Sequence, residues 1–460
     1  MKIRNLSLII AGSALVAGAT SVSAQVFTPG DLVVTTYGSA TGTSLLDGQV
    51  TPITLTEFAL PTATSATVAM TDVLPISGTG ANVGIVGEYG SSSEGSLQVS
   101  GNGQYLTIGG YDGNLDTRGG PYGGSNTALA QSTDTNVPRV AATINLSTGA
   151  VNTSTVLNDV YNTNNARSVY SPDGTTLLLS GQGAGKGDQG GLYQTTVGTN
   201  TTTGGAAPTG IYNTSSTRTV KQANFNAANG TASATPNTYV AIDQDGKGFT
   251  NAGIFENVSN GAGSSIGTRI TPANNGKTGS AAVAYSPEDF VFANATTLYV
   301  ADTGVSKLDA RPTVGDGGIQ KWSFIAGTWT LDYTLRPSTF VDPASADTVS
   351  HGETGFSDLT LRLDGSNVDI YAVSYTAGDA DPNGLYAIQD NLNATTESGE
   401  TFTELAQGSG LSNVNGQDQN FKGVAIVPGA VPEPSTTAMS ILALLGLAGF
   451  AWKRRNMLKA

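Results

Sequence analysis

The sequence predicts an all-β protein: a β-propeller of six or seven four-stranded blades, followed by a C-terminal hydrophobic helix. Three observations lead there. Short runs rich in Val, Ile, Leu and Tyr recur through a chain otherwise dominated by Gly, Thr, Ser and Asn, and such runs bounded by turn residues read as strands. Segments with helical periodicity are almost absent outside the two ends. A two-strand unit also repeats without gaps at an offset of 71 residues.

The two copies of that unit are LQVSGNGQYLTIGG, from Leu97 to Gly110, and SVYSPDGTTLLLSG, from Ser168 to Gly181. Each reads as a strand, a Ser-x-Asn/Asp-Gly turn and a second strand ending in glycine. Asn-Gly and Asp-Gly suit tight hairpins because both central residues can take positive φ. Weaker echoes begin at Asn237 (NTYVAIDQDG), Pro287 (PEDFVFANATTLYVADTG) and Phe356 (FSDLTLRLDGSNVDIYAVS). A further hairpin follows most of them: Arg139 to Leu157, Gly318 to Leu335, and GLYAIQD from Gly384. Two hairpins make a four-stranded sheet, and five such internal units can be counted. Strands near Leu32 to Tyr37 and Ile53 to Ala59 are expected to pair with the last strand, Phe421 to Val427, as one more unit closing the ring. A β-sandwich pair and a β-solenoid are the competing architectures.

Both ends read as addresses. Residues 1–24 have Lys2 and Arg4, an apolar run, and small residues before a cleavage point between Ala24 and Gln25, the layout of a secretory signal peptide. An uncleaved N-terminal anchor is the alternative. Residues 25–430 form the body. In residues 431–460, Val431 precedes Pro432-Glu433-Pro434, an apolar stretch from Ala438 to Trp452, and the basic cluster Lys453, Arg454 and Arg455. That stretch falls short of the roughly 20 residues of a full bilayer span, and the basic cluster should remain cytoplasmic. Triplet, spacer, apolar segment and basic cluster together resemble the PEP-CTERM sorting signal, also called the ice-binding protein C-terminal domain. The resemblance implies an exosortase partner that recognises the triplet and removes the tail. It also implies a host that makes extracellular polysaccharide. The expected course is export across the inner membrane, transient tethering there, then release to the cell surface or beyond.

Composition narrows the function. The whole chain has 21 Lys+Arg and 35 Asp+Glu; with six basic and one acidic residue in its two ends, the body keeps 15 basic and 34 acidic residues, a net charge of −19. Such a body does not favour nucleic acid, which requires clustered Lys and Arg. It contains no cysteine, which excludes disulfides, a lipoprotein anchor and Cys-His chemistry, and only one histidine, His351, which excludes His-rich metal sites. No GxSxG elbow accompanies His351. Asp302-Thr303-Gly304 has no second copy to share a proton with, as aspartic proteases need, and reads as a strand end and turn. SGQGAGKGDQGG, from Ser180, lacks the spacing of a phosphate loop and reads as a loop between strands.

The sharpest metal signal is DADPNGLYAIQD. Asp379, Asp381, Asn383 and Asp390 fall at positions 1, 3, 5 and 12 of a calcium-loop pattern. The flanking strands exclude an EF-hand, and an exposed acidic hairpin is the plainer reading. DQDGKG at Asp243 is a partial match. The function expected is an exported, non-enzymatic binding or structural propeller that binds a partner or extracellular polysaccharide. The alternative is a calcium-dependent hydrolase or lactonase using Glu94, Asp112, Asp173, Asp289 or Asp302 at the channel mouth. TTLYVADTG is similar to the strand consensus of sugar-lactonase and NHL-type propellers.

Overall fold

Alternating apolar and small polar residues, punctuated by glycine turns, favour short antiparallel strands. A computed structural model shows them. It describes residues 27–39, 48–113, 122, 127–184, 189–213, 216–243, 252–257, 267–272, 286–304, 317–341, 352–376, 383–408 and 418–429. The leader, the sorting tail and its expected helix lie outside these residues. Among the described residues no helix is long and apolar enough to cross a membrane.

Strands β1 (Leu32–Ser39), β2 (Val50–Thr62) and β3 (Ser65–Val73) form an antiparallel meander. β4 (Ile85–Glu88) pairs with both β2 and β6 (Tyr105–Asp112), the latter also flanked by β5 (Gln98–Val99) and β7 (Arg139–Asn145), and β8 (Val151–Leu157) completes the group. Four separate four-stranded antiparallel sheets follow, each with its strands in sequence order. The first is β9 (Ala166–Tyr170), β10 (Thr176–Gly181), β11 (Gly191–Thr196) and β12 (Thr209–Asn213). The second is β13 (Val220–Asn226), β14 (Thr231–Ile242), β15 (Gly253–Glu256) and β16 (Thr268–Arg269). The third is β17 (Pro287–Asn294), β18 (Thr297–Asp302), β19 (Gly318–Ile325) and β20 (Thr328–Leu335). The fourth is β21 (Glu353–Asp364), β22 (Asn367–Thr376), β23 (Gly384–Asn391) and β24 (Thr403–Gln407).

Finally β25 (Asp418–Ile426) returns to pair antiparallel with β1, Leu32 opposite Ile426 and Tyr37 opposite Asn420. Through β25 and β4 the N-terminal groups merge into one nine-stranded sheet. The leading strands neighbour one another in turn, β25 beside β5, β5 beside β9, β9 beside β13, β17 beside β21, and β21 beside β25, while β17 packs on β14. This is a propeller-like arrangement of four-stranded blades.

The core is divided into packets between successive sheets. Val169, Leu177 and Leu179 pack on Ala141 and Leu157; Val240 and Phe255 pack on Leu178 and Leu192; Phe290, Leu298 and Trp322 pack on Tyr239 and Ile254. The closing strand supplies Val424, packed with Tyr371 and Val373. Each packet removes large apolar side chains from water, at roughly 1.5–3 kcal/mol per side chain.

The repeated turn differs from its expectation. Gly103 and Gly174 take positive φ of 69° and 83°, but Asn102 and Asp173 do not. The side chains of Asn102 and Asp173 instead cap their own turns: Asp173 Oδ1 accepts from the amides of Thr175 and Thr176 at 2.8 and 2.7 Å. The two equivalent turns also touch, Asn102 Nδ2 donating to the Asp173 carbonyl at 2.8 Å.

Candidate functional site

One irregularity recurs where the leading strands begin. In β9, Ser168 and Ala166 face consecutive residues of β10, so Arg167 has no partner residue opposite it. The same β-bulge leaves Glu288 unopposed in β17, Ser357 in β21 and Lys422 in β25. Just before β13, the Arg218 amide donates to the Ala241 carbonyl while the Ala241 amide donates to the Thr219 carbonyl, so two residues again face one. A bulge breaks the in–out alternation and re-aims a side chain. All these residues line one cavity of about 280 Å³, including its open mouth, together with Ser92, Ser93, Glu94 and Ser96 from the segment leading into β5. The leading strand of each group thus contributes, directly or through the residues just ahead of it, to a polar cavity on the axis.

Its charges are tightly arranged. Arg218 lies 2.6 Å from Asp243 and 2.8 Å from Glu288. Arg167 Nη1 donates to Ser216 Oγ at 2.6 Å and to the Thr217 carbonyl at 3.3 Å, and its Nη2 donates to Gln182. Lys422 donates to the Ser91 carbonyl at 2.5 Å. Glu94 accepts from Tyr111, from Asn165 Nδ2 at 2.6 Å and from the Glu88 amide at 3.2 Å. Burial raises the Glu94 pKa against the pull of these donors and Lys422. Burial also lifts Glu288 to about 7, Asp243 adding to the rise, and this outweighs the attraction of Arg218. Burial, then repulsion from Arg218, lowers Arg167 to about 10.

At two of the bulges the residue that follows ties one blade to the next. Asp289 binds Lys221 Nζ at 2.8 Å and accepts from the Leu359 amide at 3.2 Å; Asp358 accepts from the Val424 amide at 3.1 Å. Burial, then the neighbouring Asp289, pushes the Asp358 pKa well up.

Of the expected channel carboxylates, Glu94 lines the cavity and Asp289 lies beside it. Asp302 accepts from the amides of Ser286 and Gly304 and from Gln320 Nε2 at 2.8–3.0 Å, capping a strand end, and burial holds it at about 7. Asp112 is buried at the end of β6. Asp173 belongs to an exposed turn, as described above. Asp243 of the DQDGKG match is an arginine partner.

Of the calcium pattern, only Asn383 and Asp390 are among the described residues. Asn383 immediately precedes β23 and Asp390 is its next-to-last residue, and a strand carries residues apart by about 3.3 Å each. Asn383 spans Ser374 and Phe421 through three hydrogen bonds of 2.7–3.1 Å. Asp390 is held by Lys321 at 3.0 Å, by Tyr333 at 2.6 Å and by Tyr299. Asp379, Asp381, His351, the cleavage point and the sorting residues lie outside the described residues. Among the described residues no group of three His, Cys, Asp or Glu side chains is placed to hold a metal.

Residues 430–455 match the PEP-CTERM protein-sorting motif. That motif is a sorting signal processed by exosortase and implies export with membrane-anchored sorting. No curated protein matches the chain. Among solved structures, the chain is similar to an oligogalacturonate lyase from Vibrio parahaemolyticus (10% identity, 77% of this chain and 78% of that one, TM-score 0.35). It is also similar to apo AztD from Citrobacter koseri (8% identity, 86% and 98%, TM-score 0.30) and to dipeptidyl peptidase 4 from Porphyromonas gingivalis (9% identity, 77% and 56%, TM-score 0.32).

Proposed function

We propose that this chain is a non-catalytic binding propeller, delivered by the PEP-CTERM route to the cell surface or extracellular matrix, that takes its ligand at the axial cavity. In this reading the nine-stranded sheet is two blades bridged by β4: β25-β1-β2-β3 and β5-β6-β7-β8. With the four separate sheets that makes six. The body spans 25–430, after a leader cut between Ala24 and Gln25 and before a tail whose apolar segment holds the precursor in the inner membrane. The ligand class is extracellular polysaccharide. The observation that carries the reading is the convergence of side chains from every blade on one polar cavity, beside a motif that implies export.

The test has two arms. In the producing cell, the native chain should reach the surface or medium in shortened form, whereas Pro432→Ala with Glu433→Ala should stay full-length in the membrane fraction. Equal distribution of the two would remove the sorting half of the reading. Retention of the host's polysaccharide by the purified chain, reduced by substitutions at Arg167, tests the binding half.

A second reading, a hydrolase or lactonase, is favoured by one observation: Glu288 is held at about 7, where a carboxyl group can both give and take a proton near neutrality. Turnover of a lactone or glycan that disappears in Glu288→Gln would favour it.

A further inference from the structure

We propose that the axial cavity holds an oxyanion between the guanidinium groups of Arg167 and Arg218, either as a free ion or as the acid group of a sugar chain. The proposal rests on the axial cavity being the ligand site and adds the chemistry of what it takes.

Two guanidinium groups are buried in the same cavity, their side chains 5% and 11% exposed. Buried charges need compensation. Arg218 has it, from Asp243 and Glu288. Arg167 does not. Its hydrogen bonds go to a serine, a backbone carbonyl and a glutamine, all neutral. The nearest carboxylate, Asp243, is 4.0 Å from Nη1 and is already bound to Arg218. Among the described residues the Nε donors of both arginines are buried without a hydrogen-bond acceptor. Lys422 adds a third cation to the lining.

The remaining lining is Ser92, Ser93, Ser96, Ser357 and Thr219, with the carboxylates Glu94 and Glu288. These hydroxyls can donate to an anion. Among the described residues no aromatic or aliphatic side chain lines the cavity, so they offer no platform for stacking a sugar ring. The small, fully polar space suits a charged group rather than a ring, and paired guanidinium forks match the oxygens of carboxylate or phosphate. A cation fits poorly, since Glu288 is taken by Arg218 and Glu94 by three donors.

The experiment uses the full chain purified in detergent, with calorimetric titration and thermal melts at constant ionic strength. The probes are sodium acetate, sodium phosphate, an oligouronide and a neutral glucan oligomer, each against a sodium chloride reference. The expected result is saturable binding of the anionic probes, not of the neutral glucan, weakened about tenfold or more in Arg167→Lys, which keeps the charge but loses the fork and Nε. Tighter binding of the oligouronide than of acetate would assign the site to an acid group on a sugar chain; equal binding would assign it to the free ion. Anionic probes that act no differently from chloride, or an Arg167→Lys chain that folds and binds like the native one, would overturn the proposal. Binding of the neutral glucan alone would overturn it and leave the axial binding reading standing. Binding of no probe would overturn both.

Discussion

Lys321 and Asp390 are both fully buried, 3.0 Å apart. Lys321 also donates to Tyr333 Oη at 3.0 Å and to the Asn391 carbonyl at 2.5 Å, and so ties β19 to the end of β23. Removing one partner leaves a buried charge uncompensated. Lys321→Met should cost about 3–5 kcal/mol, read by urea unfolding. Asp390→Ala should lose a similar amount with and without calcium; a loss seen only with calcium would return Asp390 to the metal pattern. Glu288 carries a pH prediction. Its folded pKa of about 7 lies above the ordinary 4.5, so between those values the folded chain holds a proton that the unfolded chain releases. This group's contribution is therefore most favourable below pH 4.5 and is lost as pH rises through 7. A shift of that size corresponds to about 3 kcal/mol. Melts at pH 5 and pH 8 should show that Glu288→Gln is relatively more stable at pH 8, with a smaller difference between the two pH values than in the native chain. Glu94 and Asp289 were legible as channel candidates because they are carboxylates near the β-runs that a propeller would turn toward its channel. Arg167, Glu288 and Lys422 were not singled out. Each lies two residues before a core residue, Val169, Phe290 or Val424, so simple alternation places it on the apolar face. The bulge resolves that conflict. A charged residue two ahead of a core position was the signal available.

At the scale of the element, the bulge depends on what lies against it. Gly95 has a φ of +81°, and a Cβ there would come within 2.6 Å of Lys422 Cβ. Gly95→Ala should therefore destabilise by about 1–3 kcal/mol, and it should weaken any ligand that depends on Lys422. Urea unfolding with a parallel binding titration checks both; an unchanged midpoint would show that the turn relaxes freely. The hairpin pattern of the repeats was readable because Asn-Gly and Asp-Gly mark turns under most backbone geometries. The turn type was not. Only glycine adopts positive φ here, and Asn102 and Asp173 act through their side chains, which a dipeptide rule does not register. The long hairpin of β21 and β22 was legible end to end, since FSDLTLRLDGSNVDIYAVS carries both strands and their turn.

For the whole molecule, the decisive pairing joins the ends of the body. β25 carries the core residue Val424 and lies between β1 and β21. Deleting residues 418–460 should abolish a single cooperative transition, whereas deleting 431–460 should leave it intact; melts followed by circular dichroism distinguish the two. Similar melts for both deletions would mean that the ring does not depend on this closure. The N- and C-terminal pairing was foreseen because FKGVAIV is a strand-like run with no nearby partner in sequence. The merging of two groups through β4 was not, since IVGE is a short run without the repeat's turn.

β25 also fixes which way the molecule faces. Its cavity residue, Lys422, is followed by four strand residues to Ile426, a climb of about 13 Å along the axis. The sorting motif begins soon after, at residue 430. Of the other bulged residues, Arg167 and Glu288 sit near the starts of β9 and β17 and Arg218 lies just ahead of β13, while Ser357 lies within β21; the cavity therefore occupies the end of the ring where most leading strands enter, and β25 runs from it toward the opposite end. In the reading proposed above, in which the tail tethers the precursor, the departure end is the one joined to the tether and the charged cavity is at the far end.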